Sequence, residues 1–230
     1  MPEPGVSPRF RVNPALLACE WPRALGEYAA MVATRPLLGR APRGDGHPVV
    51  VLPGFLAGDG STRVLRRFLR ARGYHVHAWR QGINVGPTDR IREGLRSRLA
   101  AVWAKHQQPS TLIGWSLGGI YARAIAREAP GRVRQVITLG SPFLLTDPLE
   151  PPPDVPISNV FSRTDGIAPW ASCVDEPGPR RENVEVVGSH CGLGHHPAAL
   201  LVVADRLAQP EGTWAPFVPR GPLSALIRVA

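Results

Sequence analysis

Apolar runs alternate with amphipathic stretches along most of this chain, which predicts an α/β architecture. Val49 to Leu52 is continuously apolar, as is typical of a strand buried on both faces. Strands separated by helical stretches are expected to pair in parallel through right-handed crossovers. We therefore predict a mainly parallel sheet of about six strands flanked by helices. The six runs cover residues 49–52, 74–79, 110–113, 133–139, 157–161 and 184–187.

The helices expected between these runs have recognisable ends. Thr88 is a suitable N-cap for a helix from Asp89 to His106. Gly and Pro residues close the other helical stretches, as they commonly do. These stretches cover residues 61–72, 120–126 and 198–208.

The first 46 residues are predicted to form a helical extension with one apolar stripe. The helix is expected to start at Asn13-Pro14, to kink or restart at Pro22 and to end at Pro36. Such a stripe indicates either a helix packed on the domain, which we expect, or a lid or membrane-facing element over an active site. Its apolar residues recur every three or four positions: Leu17, Trp21, Leu25, Tyr28 and Val32.

The length of 230 residues is sufficient for one sizeable core, and a second full domain is not expected. The alternating pattern begins at residue 47 and ends near residue 209. We therefore predict an α/β core over 47–209 and a proline-broken tail over 210–230 that packs on this core.

The sequence Gly114-Trp115-Ser116-Leu117-Gly118 follows a strand-like run and precedes a helical one. A G-x-S-x-G sequence in this context can hold its serine at a strained strand-to-helix elbow. The alternative is a serine that merely caps the helix. The complete flanking elements favour Ser116 as a nucleophile.

A serine hydroxyl needs a general base, and that base needs an orienting carboxylate. Asp165 directly follows the predicted strand 157–161, and His190 follows the strand 184–187. Because adjacent parallel strands end at the same sheet edge, both side chains are expected near Ser116. Other candidates are His195 and His196 for the base, and Asp147, Asp154 and Asp175 for the acid.

Tetrahedral intermediates also need fixed N–H donors for the developing oxyanion. One donor is expected to be the backbone N–H of Leu117, the residue after the nucleophile. The second is expected in the Pro-Gly turn after the first strand, with the N–H of Phe55 as the best candidate.

Taken in order, the motifs LPGF, GWSLGG, ITLGSP, SRTDG and GSHCGLG resemble those of the α/β-hydrolase superfamily, in its small bacterial esterase and lipase branch. The resemblance covers residues 47 to about 209. Two departures are Pro53, where many lipases have His, and the absence of the first two strands of the usual fold. The Pro-rich link between residues 139 and 157 is too short for a separate cap domain.

The resemblance implies a carboxylic ester hydrolase that needs no cofactor and acts on a small-molecule acyl ester or lipid. An acyltransferase or thioesterase with the same triad, or a non-catalytic binding scaffold, remains an alternative. Apolar residues near the motifs are expected to bind the acyl chain. They are Leu56, Trp115, Phe143, Leu144, Ile167 and Leu193.

The net charge of +9 comes almost wholly from arginine, because Lys105 is the only lysine. No nucleic-acid motif accompanies the arginines, so we expect no nucleic-acid partner and at most weak contact with anionic membrane or lipid head groups. No apolar run approaches the roughly 18 residues of a membrane span. The start Met1-Pro2-Glu3-Pro4-Gly5 does not resemble a secretory signal, so we expect a cytoplasmic protein.

Cys19, Cys173 and Cys191 form neither a disulfide framework nor a metal-binding signature, and no metal is expected. Cys173 and Cys191 could pair in an oxidising compartment. In a cytosol we expect both to be reduced.

Overall fold

A computed structural model describes residues 11–146 and 150–229 and has a seven-stranded sheet at its centre. The strands lie in the order β2-β1-β3-β4-β5-β6-β7, and every pair is parallel except β6 with β7. Their bounds are β1 Pro48–Leu52, β2 His75–Ala78, β3 Ser110–Trp115, β4 Val133–Leu139, β5 Ile157–Phe161, β6 Arg181–Val186 and β7 Ile227–Val229.

Eight α-helices are present in the described ranges, and they lie before and between the strands. They are α1 Pro14–Ala18, α2 Glu20–Ala33, α3 Arg35–Leu38, α4 Arg63–Ala71, α5 Asp89–His106, α6 Leu117–Glu128, α7 Phe143–Thr146 and α8 Pro197–Ala208. In the described part of the link between β4 and β5, the four-residue α7 is the one helix, so no cap domain is inserted there.

Two apolar layers cover the sheet, one on each face. Along β1, Val49 and Val51 pack in one layer while Val50 and Leu52 pack in the other. This alternation follows from the two-residue period of side chains in a strand. Residues from α4 and α8 complete the first layer and residues from α5 and α6 the second. Burial on both faces explains why β1 is apolar throughout.

The predicted sheet differs from the structure at one edge. The strand β6 begins at Arg181, three residues before the predicted start. The charged Glu182 gives no apolar signal in the sequence, but its side chain is buried among hydrogen-bond partners. The tail adds β7, which pairs antiparallel with β6. A strand of three residues within a proline-rich tail gives no recognisable alternation, so the sequence pattern did not predict it.

The N-terminal helices pack on the domain as expected, but through a face next to the apolar stripe rather than through the stripe itself. Trp21 and Leu25 are 77% and 71% exposed, whereas Glu20, Ala24 and Met31 are buried. The break falls at Cys19, so that Pro22 lies in the first turn of α2, where a missing N–H costs little. The helix α2 ends at Ala33, before Pro36.

Candidate active site

Ser116 occupies a strained turn between β3 and α6. Its backbone angles, φ 53° and ψ −123°, lie in a region that residues other than glycine rarely adopt. Two neighbouring glycines allow the start of α6 to approach the strand ends closely. A Cβ on Gly118 would lie 2.4 Å from the carbonyl oxygen of Leu52, and one on Gly119 would lie 2.0 Å from Ser141 Oγ. The predicted elbow is therefore present, with the start of α6 resting directly on the strands.

Asp165 and His190 meet at the carboxyl ends of β5 and β6. Asp165 Oδ2 lies 2.7 Å from His190 Nδ1, and both side chains are buried. The second oxygen, Oδ1, accepts hydrogen bonds from the N–H groups of Ile167 at 2.8 Å and Ala168 at 2.7 Å. A carboxylate can only accept hydrogen bonds, so Nδ1 is the protonated ring nitrogen. This leaves Nε2 as the basic atom of the ring.

The serine elbow and the histidine loop are in contact. The indole N–H of Trp115 donates to the carbonyl oxygen of His190 at 3.1 Å. At Gly140, φ is 55°, and a Cβ there would lie 3.1 Å from both Asp165 Oδ2 and His190 Nδ1. No hydrogen bond joins Ser116 Oγ to the His190 ring among the contacts of the described residues, and such bonds commonly shorten only with substrate bound.

The other two candidates for the general base, His195 and His196, have different surroundings. His195 Nε2 donates to the carbonyl oxygen of Ala24 at 2.9 Å. His196 is buried just before α8, and burial lowers its pKa to about 4. Among the described residues, His190 is the one of these three histidines that pairs with a carboxylate.

The other acidic candidates form ion pairs elsewhere. Asp175 binds the buried guanidinium of Arg123 at 2.6 Å, and Asp154 pairs with Arg180 at the surface. Asp147 lies outside the described residues. Asp165 is thus the described candidate that reaches a histidine.

The loop after β1 lies against the elbow. A Cβ on Gly54 would approach Ser116 Cβ to 3.2 Å. The N–H of Leu56 donates to the carbonyl oxygen of Asn84 at 2.7 Å, whereas the N–H groups of Phe55 and Leu117 have no partner among the described residues. The two predicted oxyanion donors thus form no hydrogen bond within the described residues, and their role stays a prediction.

Asn84 holds this loop in place and was missed in the sequence. It is fully buried, and its Nδ2 donates to the carbonyl oxygen of Pro53 at 3.0 Å. Its Oδ1 accepts from the hydroxyl of Tyr121 at 3.1 Å. A lone asparagine in a loop has no sequence signal that separates it from a turn residue.

The predicted acyl-binding residues divide into two groups. Leu56 and Ile167 are 66% and 46% exposed, so both have surface available to a substrate. Phe143 and Leu193 are 3% and 0% exposed, so protein atoms cover both side chains in this structure. Phe143 packs under the Arg123 guanidinium at 3.9 Å, and Leu193 belongs to the core.

Trp115 and Leu144 are half-buried and fit neither group cleanly. Trp115, the last residue of β3, packs against the first apolar layer. Leu144 lines a cavity of about 230 Å³ beside Arg123 and Asp175. Their role in substrate binding stays a prediction.

The acidic residues of α2 were also missed, although a signal for them exists. Glu20, Arg23 and Glu27 are spaced three and four residues apart and so share one face of the helix. This face contacts the loops that carry Asp165 and His190. The prediction from the pattern relied on the apolar stripe and assigned the wrong face to the domain.

All three cysteines are unpaired thiols. Burial, followed by the nearby Glu20 charge, raises the pKa of Cys191 to about 12, which keeps this thiol protonated at neutral pH. Within the described ranges, no group of three or more His, Cys, Asp and Glu side chains is arranged to hold a metal ion. Nor does any described helix combine the length and apolarity that crossing a bilayer requires.

Several solved structures of hydrolases share this architecture. The lipase B of Aspergillus fumigatus is 15% identical, with a TM-score of 0.60 over 72% of this chain and 53% of its own. A pyrethroid hydrolase from Sphingobium faniae JZ-2 is 19% identical, with a TM-score of 0.57 over 71% and 98%. XC6422 of Xanthomonas campestris, an α/β serine hydrolase without a lid, is 20% identical, with a TM-score of 0.53 over 73% and 83%.

This chain thus spans about half the length of the lipase B chain. No family model matches the sequence, and no curated protein does. The chain has the α/β-hydrolase fold, and the resemblance of its motifs to that superfamily is confirmed at the level of the fold.

Proposed function

We propose that this protein is a serine hydrolase that cleaves carboxylic esters through an acyl-enzyme on Ser116. The observation that carries the proposal is the strained serine elbow at the same sheet edge as the His190–Asp165 pair, whose atoms are 2.7 Å apart. Backbone strain at a non-glycine residue persists where the surrounding structure requires it, and it is frequent at nucleophiles. The lipases and hydrolases with the same fold agree with this chemistry.

Each group has one task in the proposed reaction. Ser116 Oγ attacks the acyl carbonyl carbon while His190 Nε2 takes its proton. The carbonyl oxygen becomes an oxyanion, which accepts hydrogen bonds from the N–H groups of Phe55 and Leu117. The C–O bond to the alcohol then breaks, and His190 returns the proton to the departing oxygen. Water attacks the acyl-serine by the same steps and releases the acid and the free serine.

The proposed substrate is a small-molecule acyl ester or lipid, with weak peripheral contact between the protein and a lipid surface. Exposed apolar side chains on α2, Trp21 and Leu25 among them, support this contact. Tyr28 of the same stripe also lines a groove of about 550 Å³ together with Arg35, Arg63 and Arg67. Arginines beside an apolar face are suited to anionic head groups.

A fluorophosphonate probe, which reacts with activated serines, tests the proposal. Wild-type protein should gain one probe mass on the peptide that contains Ser116, and Ser116→Ala should gain none. The same two proteins are then assayed on a panel of esters and thioesters of graded acyl length. Absence of labelling in folded wild-type protein, or equal labelling of the Ser116→Ala variant, refutes the hydrolase.

A further inference from the structure

The loops that carry the acid and the base both rest on one buried carboxylate from outside the core, that of Glu20 at the start of α2. Glu20 is 1% exposed. Its Oε1 accepts hydrogen bonds from the N–H of Gly166 at 2.7 Å and from the N–H of His190 at 3.1 Å. Its Oε2 accepts from the N–H of Cys191 at 2.9 Å. One side chain thus binds the residue after Asp165 and the backbone of His190 itself.

The remaining polar residues on this face of α2 support the same two loops. Arg23 donates to the carbonyl oxygen of Thr164 at 2.7 Å and to its hydroxyl at 2.9 Å. Glu27 accepts from the N–H of Ser189 at 2.7 Å and from its hydroxyl at 2.6 Å. Both loops are therefore attached to one rigid helix at several points.

The packing of α1 and α2 on the two loops explains two glycines, Gly166 and Gly192. A Cβ on Gly166 would lie 2.5 Å from the carbonyl group of Leu16 in α1. A Cβ on Gly192 would lie 1.4 Å from Glu27 Oε2. The loops after β5 and β6 thus have side-chain-free positions where the N-terminal helices approach. The sequence of the core is matched to the presence of α1 and α2.

We infer that Glu20 is a positioning residue of the active site, which holds the Asp165 and His190 loops at a fixed separation; the inference rests on the proposed function. The Asp165–His190 contact joins two loops that follow different strands. A shift of either loop would lengthen the 2.7 Å contact between Asp165 and His190 and change the orientation of the imidazole ring. A common acceptor for N–H groups on both sides of this contact opposes such a shift. The N-terminal segment therefore serves as part of the catalytic scaffold.

A carboxylate suits this task better than an amide does. Three N–H donors converge on Glu20, and a carboxylate offers only acceptor sites. The amide of a glutamine would keep one oxygen but would turn an NH₂ group towards at least one of these donors. Glu20→Gln therefore preserves the size of the side chain but removes the acceptor of at least one of the three backbone N–H groups.

The test compares Glu20→Gln with Glu182→Gln. Glu182 is also buried and also accepts a backbone N–H, from Phe217 at 2.6 Å, but it lies near the start of β6, at the opposite end of the strand from His190. We expect Glu20→Gln to lower kcat between about 10- and 100-fold with KM little changed, because small misplacements of catalytic groups have effects of this size. Glu182→Gln should lower the Tm and leave kcat unchanged.

Two results would overturn the inference: wild-type kcat in folded Glu20→Gln, or an equal loss of kcat in Glu182→Gln at an equal loss of Tm. If Glu20→Gln does not fold, Glu27→Gln is judged by the same criteria through Ser189, the neighbour of His190.

Wild-type protein that does not react with the fluorophosphonate probe refutes the proposed function instead. Amide hydrogen exchange of residues 166, 190 and 191 then decides the positioning role, since Glu20→Gln should accelerate exchange at these sites and unchanged exchange contradicts it.

Discussion

Replacing Asp165 with asparagine is expected to place the proton on the wrong nitrogen of His190. The two N–H groups of Ile167 and Ala168 point at Asp165 Oδ1, at 2.8 and 2.7 Å. They require an oxygen at that position, so the amide nitrogen of the new asparagine must face His190 Nδ1. An N–H that donates to Nδ1 makes this atom an acceptor and leaves the proton on Nε2. In that tautomer Nε2 cannot take the proton of Ser116.

The size of the effect follows from the cost of turning the amide around. The reversed amide would restore the correct tautomer but would leave two backbone N–H groups without an acceptor. Each buried unsatisfied group costs about 1–3 kcal/mol, so the reversed form lies about 2–6 kcal/mol higher. Since about 1.4 kcal/mol corresponds to a factor of ten, kcat should fall between about 30-fold and about 10⁴-fold.

The assay measures kcat on a soluble ester and the rate of fluorophosphonate labelling for wild type, Asp165→Asn and Asp154→Asn. Asp154 pairs with Arg180 at the surface, and its replacement should leave both rates unchanged. Far-ultraviolet circular dichroism and the Tm establish that each variant is folded. A folded Asp165→Asn protein whose kcat lies within about threefold of wild type refutes the reasoning, because that is below the smallest expected penalty.

Three further predictions address pH, packing and lipid contact. Burial lowers the pKa of His196 from 6.5 to about 4, so its contribution to stability is complete above pH 6.5 and is lost as pH falls towards 4. In urea titrations, the unfolding free energy should drop by about 3 kcal/mol over this window, and a fall as steep in His196→Gln would contradict the assignment. Gly119→Ala should lower stability by about 1–3 kcal/mol or prevent folding, because its Cβ would lie 2.0 Å from Ser141 Oγ. Gly60→Ala has no atom within 4 Å of the new Cβ and serves as the control in the same thermal melts; equal Tm values for both variants would exclude the packing argument. In co-sedimentation with vesicles, wild type should bind anionic better than neutral vesicles and Trp21→Ser should bind both more weakly, whereas binding that this change leaves intact would mean that α2 does not face the lipid.

Much of the architecture follows from the chain pattern. The helix from Asp89 to His106 and the strands 133–139 and 157–161 have the predicted bounds. Periodicity and end signals suffice there because the segments are long or fully buried, so that local preference and tertiary burial agree. The adjacency of Asp165 and His190 also follows from sequence, since parallel neighbouring strands end at one sheet edge.

Other features depend on partners that are distant in the chain. Glu20 meets Gly166 and His190 across 146 and 170 residues, and no local pattern encodes such contacts. The burial of Phe143 and Leu193 likewise depends on which loops cover them.

The chain pattern predicts the order of β1 to β6, the helices α4, α5, α6 and α8, the serine elbow and the two strand ends that carry an acid and a base. The pattern does not predict that α2 buries the face of Glu20, Ala24 and Met31 and exposes its apolar stripe; this depends on the folded chain. The physical reason is that hydrophobic periodicity reports which face of a helix is apolar, whereas burial of a carboxylate depends on donors that only the folded chain assembles. Three N–H groups from two loops provide these donors for Glu20.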